Sequence, residues 1–294
     1  MKPAPFEYFS PTTLEELVSL LGQHGDEAKL LAGGQSLIAL LALRLATPTV
    51  IIDLNRVEEL EYVAEDDDTV RVGALARHRA IEKRFASTGR CPMVSEAVGV
   101  IGHVAIRNRG TVVGSLVHAD PAAEWPALAL ALDGTCDVVG PQGKRTIPAD
   151  DLFVSYFTTT LAPDEVATEL RIKLPPASVG SAFTELARRH GDFAIAGAGA
   201  IVGLDSAGRV DTARIVLIGV ADTALRIQRA EEILIGRDPS AEGFAESAEI
   251  VGKSIDPASD VHGSSEFRKH VTKVLTRRAL ESAAHRAQEG NKRG

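Results

Sequence analysis

The sequence predicts an α+β protein built as two domains, and three observations predict it. A chain of 294 residues has room for two domains at the usual ~100–200 residues each. With 45% hydrophobic residues it can form a core, so a folded chain is the expectation. Strand-patterned and helix-patterned segments alternate up to about residue 175, and after Pro175-Pro176 a block of strands precedes a block of helices. That second arrangement is the pattern of an α+β module.

The elements follow in order. Leu14, Leu17, Val18 and Leu21 fall on one helical face. Thr12 with Glu15, or Thr13 with Glu16, offers a capping box for that helix, and Gly22 and Gly25 end it. Residues 28–31 read as a short strand, 37–45 as a buried helix and 49–54 as a buried strand. Residues 61–63 and 69–72 flank the turn Asp66-Asp67-Asp68, which predicts a hairpin. Helices are expected at 78–85, 93–101 and 124–132, with strands at 135–139 and 170–174. Beyond the prolines, strands are expected at 181–188, 194–204 and 210–220, then helices at 222–235, 241–252 and 265–287.

Composition narrows the function. The formal charge is −8 and the pI about 5.5, and no basic stripe with interleaved aromatics is present, so nucleic acid is not an expected partner. Lys292 and Arg293 read as a short solvated tail. The first residues carry no apolar run, which argues against a secretory signal. No run of ~18 apolar residues occurs, which argues against a transmembrane segment. The two cysteines, Cys91 and Cys136, form no disulfide framework and cannot by themselves build a four-ligand zinc or iron–sulfur site. The expected location is cytoplasmic.

Two segments carry chemistry. In Ala32-Gly33-Gly34-Gln35-Ser36, consecutive glycines between a strand and a helix let the backbone approach a ligand and turn successive N–H groups toward one spot. That suits a pyrophosphate, with Gln35 and Ser36 adding side-chain donors. On spacing alone an ordinary tight turn explains the run equally well. The second segment, a loop-like run over residues 107–124, gathers small residues, hydroxyls, a histidine and two acids. Thr111 and Ser115 can donate to phosphate oxygens, and Asp120 or Glu124 can accept from ribityl or ribose hydroxyls. Glu124 also reads as a charge at a helix start, and His118 alone reads as a satisfied histidine.

Other patterns do not carry a site. Gly197-Ala198-Gly199-Ala200-Ile201-Val202-Gly203 has the wrong last spacing for a dinucleotide fingerprint and runs into a turn, not a helix. Small residues packed within a strand explain it better. None of the eight histidines has metal-ligand spacing, and neither a phosphate-binding P-loop nor a nucleophile elbow is present.

Taken in order along the chain, the two segments resemble those of the FAD-binding medium subunit of three-subunit molybdenum hydroxylases. This group includes carbon monoxide dehydrogenase and quinoline oxidoreductase, and the flavin domain of xanthine dehydrogenase is related. The resemblance extends over nearly the whole chain through Phe6-Glu7-Tyr8, Val70-Arg71-Val72-Gly73-Ala74, Ala187-Arg188-Arg189-His190-Gly191-Asp192-Phe193-Ala194 and Asp260-Val261-His262-Gly263-Ser264. It implies an FAD-binding domain of the vanillyl-alcohol-oxidase type at 1–175, with subdomains at about 1–55 and 56–175, and a smaller α+β domain at 176–294.

Carried onto this sequence, the resemblance has Lys29, Leu30, Leu31, Ala32, Gly33, Gly34, Gln35 and Ser36 wrap the pyrophosphate. Thr111, Gly114 and Ser115 supply further phosphate contacts, and Ala74 and Ile101 line the cofactor. His118, Asp120 and Glu124 address its polar groups, with Val166, Ala167 and Phe193 near the isoalloxazine ring. Val113 and Ser115 depart from the usual T-x-G-G-N pattern, and Ala167 stands where a leucine is common.

The resemblance further implies a relay inside a dimer of heterotrimers. A large molybdenum-cofactor subunit hydroxylates substrate, a small subunit with two [2Fe–2S] clusters carries electrons, and FAD here passes them to an external acceptor. No catalytic residue is assigned to this chain, because the redox chemistry belongs to the cofactor. Two alternatives stand beside this reading: a self-sufficient FAD oxidase or dehydrogenase of the same fold, and a scaffold subunit without cofactor.

Overall fold

The computed structural model describes residues 2–291; Met1 and residues 292–294, including Lys292 and Arg293 of the charged tail, lie outside them. The first unit is a parallel sheet of β1 (Glu7–Phe9), β2 (Ala28–Leu31) and β3 (Val50–Asp53), in the order β1-β3-β2. Two helices serve as its crossovers, α1 (Leu14–His24) and α2 (Leu37–Leu43). Of the two capping boxes open to α1, Thr13 with Glu16 forms. The Thr13 hydroxyl accepts from the Glu16 N–H at 3.2 Å, and the Glu16 carboxylate accepts from the Thr12 N–H at 2.9 Å.

The next unit is an antiparallel sheet of β4 (Val63–Asp66), β5 (Thr69–Gly73), β6 (Thr135–Gly140), β7 (Gly143–Pro148) and β10 (Val166–Lys173), ordered β4-β5-β10-β6-β7. Between β5 and β6 run α3 (His78–Thr88), α4 (Pro92–Val100), α5 (Val104–Arg107), α6 (Val112–His118) and α7 (Glu124–Ala131). After β7 come α8 (Ala149–Leu152) and a small hairpin of β8 (Phe153–Ser155) and β9 (Thr158–Thr159).

The last unit is a sheet of β11 (Gly180–Ala187), β12 (Ala194–Leu204), β13 (Val210–Ile218) and β14 (Leu225–Arg226). It is followed by α9 (Gln228–Glu232), α10 (Ala241–Ser254) and α11 (Ser265–Asn291). The period-2 alternation of β12 divides its side chains between two cores. Ala196, Ala198, Ala200 and Val202 join the core under α10 and α11, and Ile201 joins the core of the first two units. A Cβ on Gly199 would lie 2.9 Å from Val216 Cγ2 and 3.0 Å from Met93 Cε of α4, whereas Cβ atoms on Gly197 and Gly203 would crowd Ile218 and Thr212 of β13. This accounts for the false dinucleotide pattern.

Helix α7 is buried along all its residues, the signature of a helix enclosed on every side. It touches α4 and α6 on one side and β12 and β13 on the other, and so forms the seam between the units. Across the same seam the Arg286 guanidinium donates to Glu96 Oε1 at 2.5 Å, and Glu96 Oε2 accepts from the Phe183 N–H at 2.8 Å.

Four expectations are corrected. Residues 37–45 form a shorter helix that is not buried: only Leu41 is enclosed, while Ile38, Leu43 and Leu45 are exposed. Much of the supposed loop 107–124 is helical, because Thr111 caps α6. β1 and β7 form without having been anticipated; β1 pairs with β3 and β7 with β6. Residues 222–235 are not one helix, because Leu225 and Arg226 pair with Leu217 and Val216. Arg226 there bonds Glu231 at 2.8 Å, and Glu231 also accepts from the Ile215 N–H at 2.9 Å. Strand pairing and a partly buried ion pair outweigh a helical periodicity of few residues.

Candidate functional site

The chain leaves β2 at Leu31, whose carbonyl accepts from the Leu54 N–H at 2.9 Å. It then turns through Gly33 and Gly34, the latter at φ +72°, a conformation costly to residues with a Cβ. Among the described residues, the N–H groups of Gly33, Gly34, Gln35 and Ser36 donate to no protein acceptor. The Gln35 amide folds back and donates to the Gly33 carbonyl at 3.0 Å, so it serves the turn; the Ser36 hydroxyl caps nothing.

The second segment packs directly against the first. A Cβ on Gly33 would collide with the Arg109 carbonyl oxygen and lie 2.7 Å from Gly110 Cα. A Cβ on Gly114 would lie 2.5 Å from Thr111 Oγ1 and 4.0 Å from Ala32 Cβ. The pairing of the two glycine segments is thus backbone on backbone. Thr111 is buried, and its hydroxyl oxygen accepts from the Gly114 N–H at 3.2 Å, which leaves its proton free to donate. Val113 is buried in the core, so the departure at that position takes no space between the segments.

Sequence reasoning missed the residues that hold the segments together. Arg77 donates to the Arg109 carbonyl at 2.6 Å and to Asn55 Oδ1 at 2.7 Å, and Asn55 Nδ2 donates to the Ala32 carbonyl at 2.9 Å. Beneath them, the His78 N–H donates to the Gly110 carbonyl at 3.0 Å, and buried Trp125 donates from Nε1 to His78 Nδ1 at 3.0 Å. The only local signal was Asn55 at the end of a buried strand; the rest depends on contacts distant in sequence.

The remaining residues fall into two groups. Ala74, Val166 and Ala167 have buried side chains, and the Ala74 N–H donates to the Thr168 carbonyl at 2.9 Å. Lys29 is exposed, and Leu30, Leu31 and Ile101 are half-buried. Half-buried His118 lies against the Phe157 ring, centroids 5.1 Å apart, and burial lowers its pKa. Asp120 closes its own turn by accepting from the Ala122 N–H at 2.9 Å. Phe193 is exposed on a loop where a Cβ on Gly191 would lie 2.7 Å from His103 Cε1, so that loop sits on the loop after Ile101. A cavity of ≈ 370 Å³ lined by Tyr62, Arg71, Glu169 and Arg171, among others, shares no residue with these segments.

Residues 4–177 match the family described as the FAD binding domain in molybdopterin dehydrogenase. The chain belongs to this family. Residues 181–283 match the CO dehydrogenase flavoprotein C-terminal domain. The 6-hydroxypseudooxynicotine dehydrogenase complex subunit alpha of Paenarthrobacter nicotinovorans is 42% identical over 98% of this chain and 97% of its own length. The carbon monoxide dehydrogenase structure from Hydrogenophaga pseudoflava superposes with a TM-score of 0.93 at 37% identity, over 97% of this chain and 99% of that one. Quinoline 2-oxidoreductase from Pseudomonas putida 86 gives 0.92 at 34% identity, over 98% and 99%.

FAD is the cofactor of this family, and the residues fit it. Four consecutive N–H groups without a protein acceptor sit in a turn that has no side chain at Gly33 or Gly34, a nest suited to an anion.

One feature of the seam differs from expectation. Glu124 is buried, and its carboxyl is pushed well above the usual range by burial, with Glu185 and Asp120 adding to the shift. Burial thus disfavours its charged form at the start of α7. Burial likewise pushes Glu185 up to about 7, and its Oε2 has no hydrogen-bond partner among the described residues. Between pH 4.5 and about 7 the folded chain holds a proton on Glu185 that the unfolded chain releases, so this group makes stability fall as pH rises through that window. Glu185→Gln is expected to raise Tm at pH 8 and leave it unchanged at pH 5. Equal shifts at both pH values would contradict the assignment.

Proposed function

We propose that this chain is the electron-transfer subunit of a molybdenum hydroxylase, working in the cytoplasm within a dimer of heterotrimers. Electrons reach it from two [2Fe–2S] clusters on a small subunit, after a molybdenum cofactor on a large subunit has oxidised the substrate, and leave for an external acceptor. Bound FAD supplies the redox exchange itself. The observation that carries the reading is the backbone junction of Gly33 with Arg109–Thr111, flanked by the unpaired N–H groups of Gly33 to Ser36. Relatives named as a complex subunit alpha and a medium subunit support the assembly. Both cysteines are buried and two thiols do not complete the ligand set of a cluster, which supports a reading with the clusters on a partner.

In this reading, residues 29–36 enclose the pyrophosphate with Thr111, Gly114 and Ser115. Ile101 lines the cofactor, His118 addresses its polar groups, and Phe193 lies near the flavin ring. Asp120 and Glu124 accept from ribityl or ribose hydroxyls. Val166 and Ala167 lie near the ring and Ala74 lines the cofactor, all three with buried side chains. The comparisons favour neither a self-sufficient flavoenzyme nor a cofactor-free scaffold.

Acid precipitation of the purified chain is expected to release free FAD in equimolar amount. Flavin that stays on the denatured protein would contradict noncovalent binding.

A further inference from the structure

The two glycine segments belong to different units of the fold, and covalent connection does not set the gap between them. Two side chains bridge that gap. Asn55, just after β3, bonds the Ala32 carbonyl at 2.9 Å through Nδ2 and receives the Arg77 guanidinium on its Oδ1 at 2.7 Å. Arg77 reaches from the residue before α3 to the Arg109 carbonyl at 2.6 Å. Each segment is therefore gripped by one carbonyl, and the two grips are joined.

We infer that the Asn55–Arg77 pair is a positioning device that aims the Gly33 N–H at the FAD pyrophosphate and sets the spacing of the two phosphate-binding segments. A trans peptide is planar, with C=O and N–H pointing opposite ways. Holding the Ala32 carbonyl toward Asn55 turns the N–H of the same peptide, that of Gly33, to the other side, where it has no partner among the described residues. The Arg109 carbonyl, held by Arg77, is the atom against which Gly33 is packed, so Arg77 fixes the second wall at the point of contact.

The pair is itself braced. The Asn55 side chain and N–H both donate to Asp53 Oδ1, at 2.5 and 2.9 Å, and the Tyr8 hydroxyl donates to Asp53 Oδ2 at 2.5 Å. Arg77 is half-buried, and an Arg bond to a carbonyl in such a place is stronger than one between neutral groups.

The inference rests on FAD binding, and its test separates the two. Apo-protein of the full chain is titrated with FAD by quenching of flavin fluorescence, alongside its Tm, for wild type, Asn55→Ala, Arg77→Met and the double variant. Each single change is expected to raise the FAD Kd about tenfold, equivalent to about 1.4 kcal/mol. The double variant should raise it little further, because both act through one linkage. The visible spectrum of the saturated flavin should not change, since the ring environment is untouched.

Gly199→Ala, far from the pair in the fold, controls for general destabilisation: it should lower Tm and leave the Kd alone. Arg77→Lys, which keeps a charged donor, should recover part of the affinity. Wild type that binds no FAD would overturn the FAD assignment and the inference together. Wild type that binds, with single variants within twofold of it or a double variant showing multiplied losses, would overturn the pair's role alone.

Discussion

Gly33→Val is expected to purify without flavin, because the new side chain collides with the Arg109 carbonyl oxygen and crowds Gly110 Cα at 2.7 Å. Those are backbone atoms that cannot rotate aside, so the two segments must part. Gly34→Val should also lose FAD, for a different reason. Its φ of +72° is unfavourable to a β-branched residue, and its Cβ would lie 3.1 Å from Ile38 Cγ1 and 3.2 Å from Leu31 Cδ1. Gly199→Ala meets the movable ends of Val216 and Met93 and should cost about 1–3 kcal/mol of packing energy, with flavin content unchanged. The flavin-to-protein ratio decides. If Gly199→Ala strips the flavin and Gly34→Val does not, the site has been placed in the wrong segment.

Trp125→Ala is expected to be the most damaging single truncation at the seam. The side chain is fully buried in α7, and removing a core Trp costs about 3–5 kcal/mol. A loss of that size lowers Tm by on the order of 10 °C. The change also removes the donor to His78 Nδ1, and His78 supports Gly110. His78 is held neutral, with its pKa lowered to about 4 by burial first and by the Arg107 and Arg77 charges next. Its contribution is complete above pH 6.5 and is lost as pH falls toward 4. Trp125→Phe keeps most of the volume without the donor and should show a smaller fall in Tm. Thermal scans of the three proteins at pH 7 and pH 5 test this, and a Trp125→Ala chain as stable as wild type would contradict the packing account.

Much of the fold was legible because the sequence periods match the structural ones. The strong helices at 78–88, 92–100, 241–254 and 265–291 and the long strands at 194–204 and 210–218 all carried clear patterning. Where reading failed, the cause was tertiary. β1 gains its identity only by pairing with β3, and α6 is short enough that its Thr111 cap outweighs a composition of small residues and β-branched side chains. The run from Leu37 is apolar enough to predict burial, yet it leaves Ile38 and Leu43 exposed, because apolar composition does not state which faces a single chain covers.

The two glycine segments were legible as a pair, but the reason for Gly33 was not. Sequence alone suggests room for a ligand, whereas the structure shows close approach of another backbone. Asn55 and Arg77 were silent because their roles are defined by the Ala32 and Arg109 carbonyls, and no residue pattern encodes a bond to a distant main chain.

In the proposed relay, electrons reach the flavin from another subunit and not from a substrate bound to this chain. Stopped-flow absorbance of the flavin tests it most directly, on the isolated FAD-loaded chain and on the complex purified with its natural neighbours, each mixed with the substrate of that complex. Rapid loss of oxidised-flavin absorbance is expected in the complex and none in the isolated chain. Rapid reduction of the isolated chain by an organic substrate would contradict it and make this a flavoenzyme complete in one polypeptide.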